Sequence, residues 1–276
     1  MTDGAIARHV SAYVPIIRPP DMRNYPQRTS QLALWSRRLA IFGIAVAIAG
    51  IGLARFGILP ALQGLVVIGA GSVCAMLALV LAGAAYVDIW RSGAIGLTRA
   101  NVGFLLALAA LAFPAWQIAR AYRLPPINDI STDLRDPPAF SRARTALDAR
   151  QGHVPGESGQ DVREAQRLAY PDVAPVVLEM GPEEAYQLVL EAVAEMKWQI
   201  VDRSPPSVRV GAGRIDAIDR TMVMKFSDDI TIRIRPLANE TRVDIRSVSR
   251  VGRHDLGTNA ARIRKFTDVL AGLNRG

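Results

Sequence analysis

The sequence predicts an α+β protein: three N-terminal transmembrane helices, then a small domain with an antiparallel sheet and two helices packed on one face. Three observations carry this. Long uncharged stretches crowd the first 120 residues, a polar proline-bearing segment follows, and short apolar–polar alternations then lie between two amphipathic stretches.

Leu39 to Leu59 holds one charge, Arg55, while Ala61 to Val87 and Asn101 to Ala119 hold none. A helix needs about 20 apolar residues to cross the hydrocarbon core, so each stretch is long enough. None has the polar face that a helix on a soluble domain keeps toward water. Trp35, Tyr86, Trp90, Trp116 and Tyr122 flank the spans, where aromatic rings settle at the interface. Arg55 stands near a span end, from which its side chain reaches the headgroups. Small residues recur four apart (Gly43 with Ala47, Gly71 with Ala75, Ala78 with Ala82), a spacing that lets helices approach closely.

Arg23, Arg28, Arg37, Arg38, Arg91 and Arg99 flank one side of the membrane, against Arg55, Arg120, Arg123 and Arg135 on the other. This excess sets the N-terminus in the cytoplasm and the C-terminal domain outside it. In a bacterium that is the inner membrane, with the domain in the periplasm. The chain divides into a cytoplasmic segment 1–38, a three-helix anchor 39–120, an extracytoplasmic linker 121–170 and a soluble domain 171–276. A chain starting near residue 165 is expected to fold without the anchor.

The formal net charge is +8, but nine basic and three acidic residues lie in the first 119, so most of the excess is arginine at the membrane. Residues 120–202 hold nine basic and fourteen acidic residues; residues 203–276 hold fifteen basic and eight acidic. The basic half could attract a polyanion. Cys74, the only cysteine, lies mid-span, so neither an internal disulfide nor a cysteine metal site is possible. The spans lack a central Asp, Glu, Lys or His, the groups an ion or substrate path needs.

Pro125, Pro126, Pro137 and Pro138 interrupt regular structure in the linker, leaving one helical candidate, Ser141 to Arg150. Asp129, Ser131 and Asp133 alternate like the start of a calcium loop. Leu134 and Phe140 stand where that loop needs Gly and Glu, so turns and caps are the expected use. No metal site and no cofactor is expected.

In the domain, "PVVLE" reads as a strand, and Gly181-Pro182 opens a helix with Ala185, Leu188, Val189, Ala192 and Met196 on one face. "WQIVDR", "SVRVGAGRIDAI", "TMVMKF", "DITIRIRP" and "TRVDIRSVS" read as strands, with turns at Pro205-Pro206, Asp228-Asp229 and Ala238-Asn239-Glu240. Gly211 and Gly213 suggest a bulge. Leu256, Ala260, Ile263, Phe266, Leu270 and Leu273 form the stripe of a last helix. The layout is similar to helix-grip domains, a likeness that licenses no function.

"NDISTDLRDPPAF", "DRSPPSVRV" and "SRVGRHDLGTNAARI", in this order, resemble the uncharacterised family called domain of unknown function 1499, over roughly residues 125–274. The resemblance implies a layout, including a three-span anchor in some members, and no activity. It also implies that His254 stands where the family carries a small polar residue.

Two candidate sites follow. Arg233, Arg235, Arg242 and Arg246 fall on the sheet face away from the helices, with Thr231 and Asp244 among them. Arg250 and Arg253 flank the start of the last helix. Together they form a surface for anionic lipid, glycan or another membrane protein, or else a solvated face paired across strands. No aromatic side chains interleave them, so single-stranded nucleic acid is not expected. Reversing the first four to Glu is expected to spare the fold. The second site is Ser249, His254 and Asp255. Neighbouring residues rarely converge on one point, and Asp255 is expected to cap the last helix through the N–H of Gly257 or Thr258. His254→Ala is then expected to be silent. The function expected is a membrane-anchored extracytoplasmic binding or scaffolding module. An accessory subunit of a larger membrane complex is the alternative, and a hydrolase or transferase is the third reading.

Overall fold

The computed structural model describes residues 28–207 and 211–275; Arg23 and most of the segment 1–38 lie outside them, as do Val208 to Val210. Three long helices, α1 (Gln31–Arg55), α2 (Ala61–Ser92) and α3 (Leu97–Arg123), are each long and apolar enough to cross a membrane. Their buried residues are nearly all small: Ala40, Gly43 and Gly50 on α1, Gly71, Ala75 and Ala78 on α2, Gly103 and Ala107 on α3. A Cβ on Gly43 would lie 2.7 Å from the Gly71 carbonyl oxygen, and one on Gly71 2.6 Å from that of Gly43. The small-residue faces therefore close on each other within this chain. Ser36 adds a bond from Oγ to the Ala78 carbonyl at 2.9 Å. Large side chains such as Phe42, Ile48, Val66, Val80 and Leu105 point outward.

The rest is one α+β unit. Strands β1 (Asp129–Ser131), β2 (Val176–Leu178), β3 (Gln199–Ser204), β4 (Gly213–Arg220), β5 (Ser227–Pro236) and β6 (Thr241–Ser249) form one antiparallel sheet of order β1-β6-β5-β4-β3. β2 lies on the same edge of β6 as β1, pairing Val176 with Val243 while β1 pairs Ile130 with Ser247. Ile215, Ala217, Ile230, Ile232, Ile234, Val243 and Ile245 alternate onto one face and are buried. Helices α6 (Pro182–Glu195) and α7 (Thr258–Leu273) cover it with Val189, Ala192, Ile263, Phe266 and Leu270, and Trp198 stacks on Phe266 at 5.5 Å. Pro182 opens α6, where its missing N–H costs nothing.

Four expectations need correction. Residues 129–170 are not a spacer: they supply β1, α4 (Arg144–Ala149) and α5 (Gln160–Ala169). Gln166 from α5 extends the β1 ladder, accepting from Ser131 N at 3.0 Å and donating to Ser131 O at 2.6 Å. The prolines here prevent helix but not pairing with an open edge strand. Second, "TMVMKF" is the β4–β5 turn, with Lys225 at φ 58°. Third, Asp228 and Asp229 are buried strand residues of β5, because arginines from other segments meet them. Fourth, the bulge falls between Ile200 and Asp202, while Gly211 at φ 76° makes a turn and a Cβ on Gly213 would strike Pro206 at 2.8 Å.

The domain rests on the anchor at one end of its sheet. Arg120 of α3 donates to the Leu256 carbonyl at 2.5 Å, and His254 Nε2 lies 3.1 Å from the Ala121 carbonyl. At the β4–β5 turn, Met224 Cε lies 3.2 Å from where a Cβ on Gly64 of α2 would stand.

Candidate functional site: the arginine–aspartate face of the sheet

Strand alternation puts Arg214, Asp216, Asp229, Thr231, Arg233, Arg235, Arg242, Asp244 and Arg246 on the face away from α6 and α7. The segment 129–158 lies across this face and brings counter-charges. Arg246 is buried and held at both oxygens of Asp129, 2.9 Å from Nε and 2.6 Å from Nη2. Arg150 is wholly buried, with Nη2 2.7 Å from Asp216 Oδ1 and Nε 3.3 Å from Asp229 Oδ1. Phe140 lies between them, with the Arg150 and Arg246 guanidinium carbons 5.0 and 5.3 Å from its ring centre. Arg250 forks onto Asp229 at 2.9 and 2.8 Å. Arg214 meets Asp202 and Asp216 at 3.2 and 3.0 Å. Burial pushes the Asp216 carboxyl up, against the pull of Arg150 and Arg214.

The far half of the face is more open. Arg233, Arg235 and Arg242 converge on Asp244 and Asp133, with contacts from 2.7 to 3.4 Å. Asp136 adds a bond to Arg233 at 2.7 Å. Partial burial would raise the Asp133 carboxyl. The backbone N–H groups of Asp136 and Arg135, with the charges of Arg242 and Arg233, hold it below its ordinary 3.8 instead. Three arginines against three aspartates leave no surplus charge here. Reversing Arg233, Arg235, Arg242 and Arg246 therefore would not spare the fold: it would set new carboxylates against Asp129, Asp133 and Asp244. The calcium-like alternation at Asp129, Ser131 and Asp133 is used up the same way, and Asp133 Oδ1 caps its own turn at 3.0 and 3.1 Å.

Surplus positive charge appears at the edge of this cluster. An open cleft of ≈ 610 Å³ is lined by Thr132, Asp133, Leu134, Arg135, Arg167, Pro175, Arg235 and Arg242. Arg235 and Arg242 are already balanced there by Asp133 and Asp244, so the surplus comes from Arg135 and Arg167. Arg167 has only an exposed pair with Glu164 at 3.1 Å, and Arg135 forms no ion pair among the described residues. The buried Arg235 Nε has no partner among the described residues either. Arg135 and Arg167 were missed in the sequence because both lie in the segment read as linker.

The corner 249–259 is a junction rather than a catalytic cluster. Asp255 Oδ1 accepts from Gly257 N at 2.8 Å and Oδ2 from Asn259 N at 2.7 Å. The helix starts at Thr258, later than its stripe suggests, because Leu256 and Gly257 are left-handed at φ 55° and 76°. Ser249 Oγ and the Asn128 carbonyl each accept from Asn259 Nδ2 at 3.0 Å, so "NDIS" and "SRVGRHDLGTN" interlock. Beneath them Arg262 reaches Asp219 at 2.8 Å and also pairs with Asp228. Burial pushes the Asp228 carboxyl up, against that pairing. Arg253 is exposed and forms no ion pair among the described residues.

His254 bridges the corner to the end of α3. Its Nδ1 accepts from Leu256 N at 3.0 Å, so Nε2 carries the proton donated to Ala121. Asp255 stands two residues before the N-cap, Gly257, rather than at it, yet it still holds an N–H of the first turn at Asn259, so Asp255→Ala is expected to cost about 1 kcal/mol, as the loss of a cap does. His254→Ala is expected to speed hydrogen exchange at the Leu256 amide and at the end of α3 while leaving the sheet protected; unchanged exchange at both would mean that the junction is not held by this side chain.

Among curated proteins none matches the chain. Of the solved structures, the vertebrate conserved region of human METTL16 is similar, at 11% identity over 46% of this chain and 87% of that one, with a TM-score of 0.24. So low a score carries no argument. The family model described as "Protein of unknown function (DUF1499)" matches residues 129–270, half of the chain, from the start of β1 into the last turns of α7. The matched region opens on Asp129, the carboxylate that holds Arg246, and takes in the whole arginine–aspartate layer. With its sheet, covering segment and interlocked corner inside that match, the chain belongs to the DUF1499 family, here joined to three candidate membrane spans.

Proposed function

We propose that the protein is a membrane-anchored binding module whose cleft holds an anionic group of a water-borne ligand, a glycan or an acidic partner protein. The cleft where Arg135 and Arg167 stand beside the paired Arg235, Arg242 and Asp133 carries this reading. A planar guanidinium fork suits carboxylate, sulfate and phosphate. Lipid of its own membrane is the poorer fit. The domain touches the spans at the Asp228 and Ser249 end of the sheet, and Arg235 and Arg242 are seven residues away along β5 and β6, roughly 23 Å of strand. The arginine bias at the span ends supports a cytoplasmic N-terminus, which sets the domain outside the cytoplasm, in the periplasm if the host is bacterial. The accessory-subunit reading loses its motive, since the small-residue faces pack against each other within the chain.

The test uses the full chain in nanodiscs, with heparin and inorganic polyphosphate as probes at low salt. Binding should weaken as salt rises, and Arg135→Glu with Arg167→Glu should remove at least tenfold of it. Neither residue belongs to the buried layer, so the fold should survive. Absence of salt-sensitive binding by the wild-type chain, or equal binding by the double variant, contradicts the reading.

A further inference from the structure

The β4–β5 turn, Thr221 to Phe226, presents Met222 at 83% exposure and Val223 at 52%, with Arg220 and Lys225 exposed beside them. No role within the domain accounts for two bare apolar side chains at a hairpin tip. Their position does. The next residue, Met224, lies against Gly64 in the first turn of α2. Counting about 20 residues of hydrocarbon back from Val87, the inner end of that uncharged stretch, places the outer hydrocarbon boundary near Val67. Gly64 is one turn beyond, at headgroup depth. The same end of the anchor is apolar and exposed: Phe56, Ile58 and Leu62, in the α1–α2 connection and the first turn of α2, are 81%, 67% and 57% exposed.

We infer that this turn is a membrane-inserting tip, with Met222 and Val223 entering the outer edge of the acyl region and Arg220 and Lys225 meeting headgroup phosphates. Apolar residues ringed by basic ones are the composition that lies in the interface. The cations can keep their heads at phosphate level while their stems follow the apolar side chains. Together with the His254 and Arg120 junction, the tip gives the domain a second foothold, on a different strand connection, so that it cannot swing freely about α3. This inference does not depend on the anionic cleft, which lies at the other end of the strands.

The experiment places a cysteine at Val223 in the full chain, labels it with an environment-sensitive fluorophore and reconstitutes it in nanodiscs. The same label on a Glu240→Cys variant, in the β5–β6 turn at the far end of the sheet, is the reference, and labelling of wild-type Cys74 alone gives the background. The Val223 label should emit further to the blue than the Glu240 label, and lipids with a nitroxide near the headgroup should quench it. A second measurement is free of any label: Met222→Asp with Val223→Asp should raise hydrogen exchange in residues 219–228 and leave the rest of the sheet unchanged. Equal emission from the two labels, with no nitroxide quenching, overturns the inference; so does unaltered exchange in the double variant.

Discussion

Arg150→Met should cost about 3–5 kcal/mol of domain stability, the range found when one partner of a buried ion pair is removed. Against total stabilities of about 5–15 kcal/mol, that is a large fraction of what holds the domain folded. Arg150, Asp216 and Asp229 are all 0% exposed, so no water replaces the lost guanidinium. The Ser141 carbonyl also loses its donor, Arg150 Nη1 at 3.0 Å. Asp216 keeps Arg214 and Asp229 keeps Arg250, which places the expected loss toward the lower end of that range. Adding Asp216→Asn should restore part of it, because a neutral amide is cheaper to bury than an unpaired carboxylate. Chemical unfolding of the domain measures both effects. A loss below about 1 kcal/mol would show that the layer is not a structural core.

Truncation has the second large effect. A chain starting at residue 165 lacks β1, α4, Asp129, Asp133, Asp136 and Arg150, yet keeps the side chains that they neutralise: Arg246, Arg233, Arg242, Asp216 and Asp229. It should be insoluble or unfolded. A chain from residue 124 to 276 retains all of them and should unfold cooperatively. Matching circular dichroism and unfolding midpoints for the two would mean that the covering segment is dispensable.

The sequence was most legible where periodicity is strict. Uncharged runs announced the three long apolar helices, Ile230, Ile232 and Ile234 announced a strand with one side in the core, and Gly181-Pro182 announced the start of α6. It was least legible where a polar residue is buried by a partner far along the chain. Asp228-Asp229 has the local composition of a turn, and only Arg150, Arg250 and Arg262, each from another element or connection, make it a strand. The real turn, with its two exposed apolar residues, carries the composition of a strand for the opposite reason: its solvent is the membrane surface. The linker misled for the same cause. Its prolines are compatible with chain lying flat across a sheet, and its charges balance, so nothing in its composition marks Asp129, Asp133 and Asp136 as partners of the basic strands. The basic face was thus visible from the strands alone, but its occupation by Asp133, Asp136 and Asp129 was not.

On the proposed reading, an anion-holding domain is displayed on the far side of a membrane from the N-terminus. A fusion of alkaline phosphatase after Gly276, expressed in a bacterium, tests it most directly, because that enzyme is active only outside the cytoplasm. With three spans and the N-terminus inside, phosphatase activity should be strong, and a cytoplasmic reporter at the same position should be silent. A strong cytoplasmic reporter signal with an inactive phosphatase would place the arginine cleft inside the cell and contradict the account.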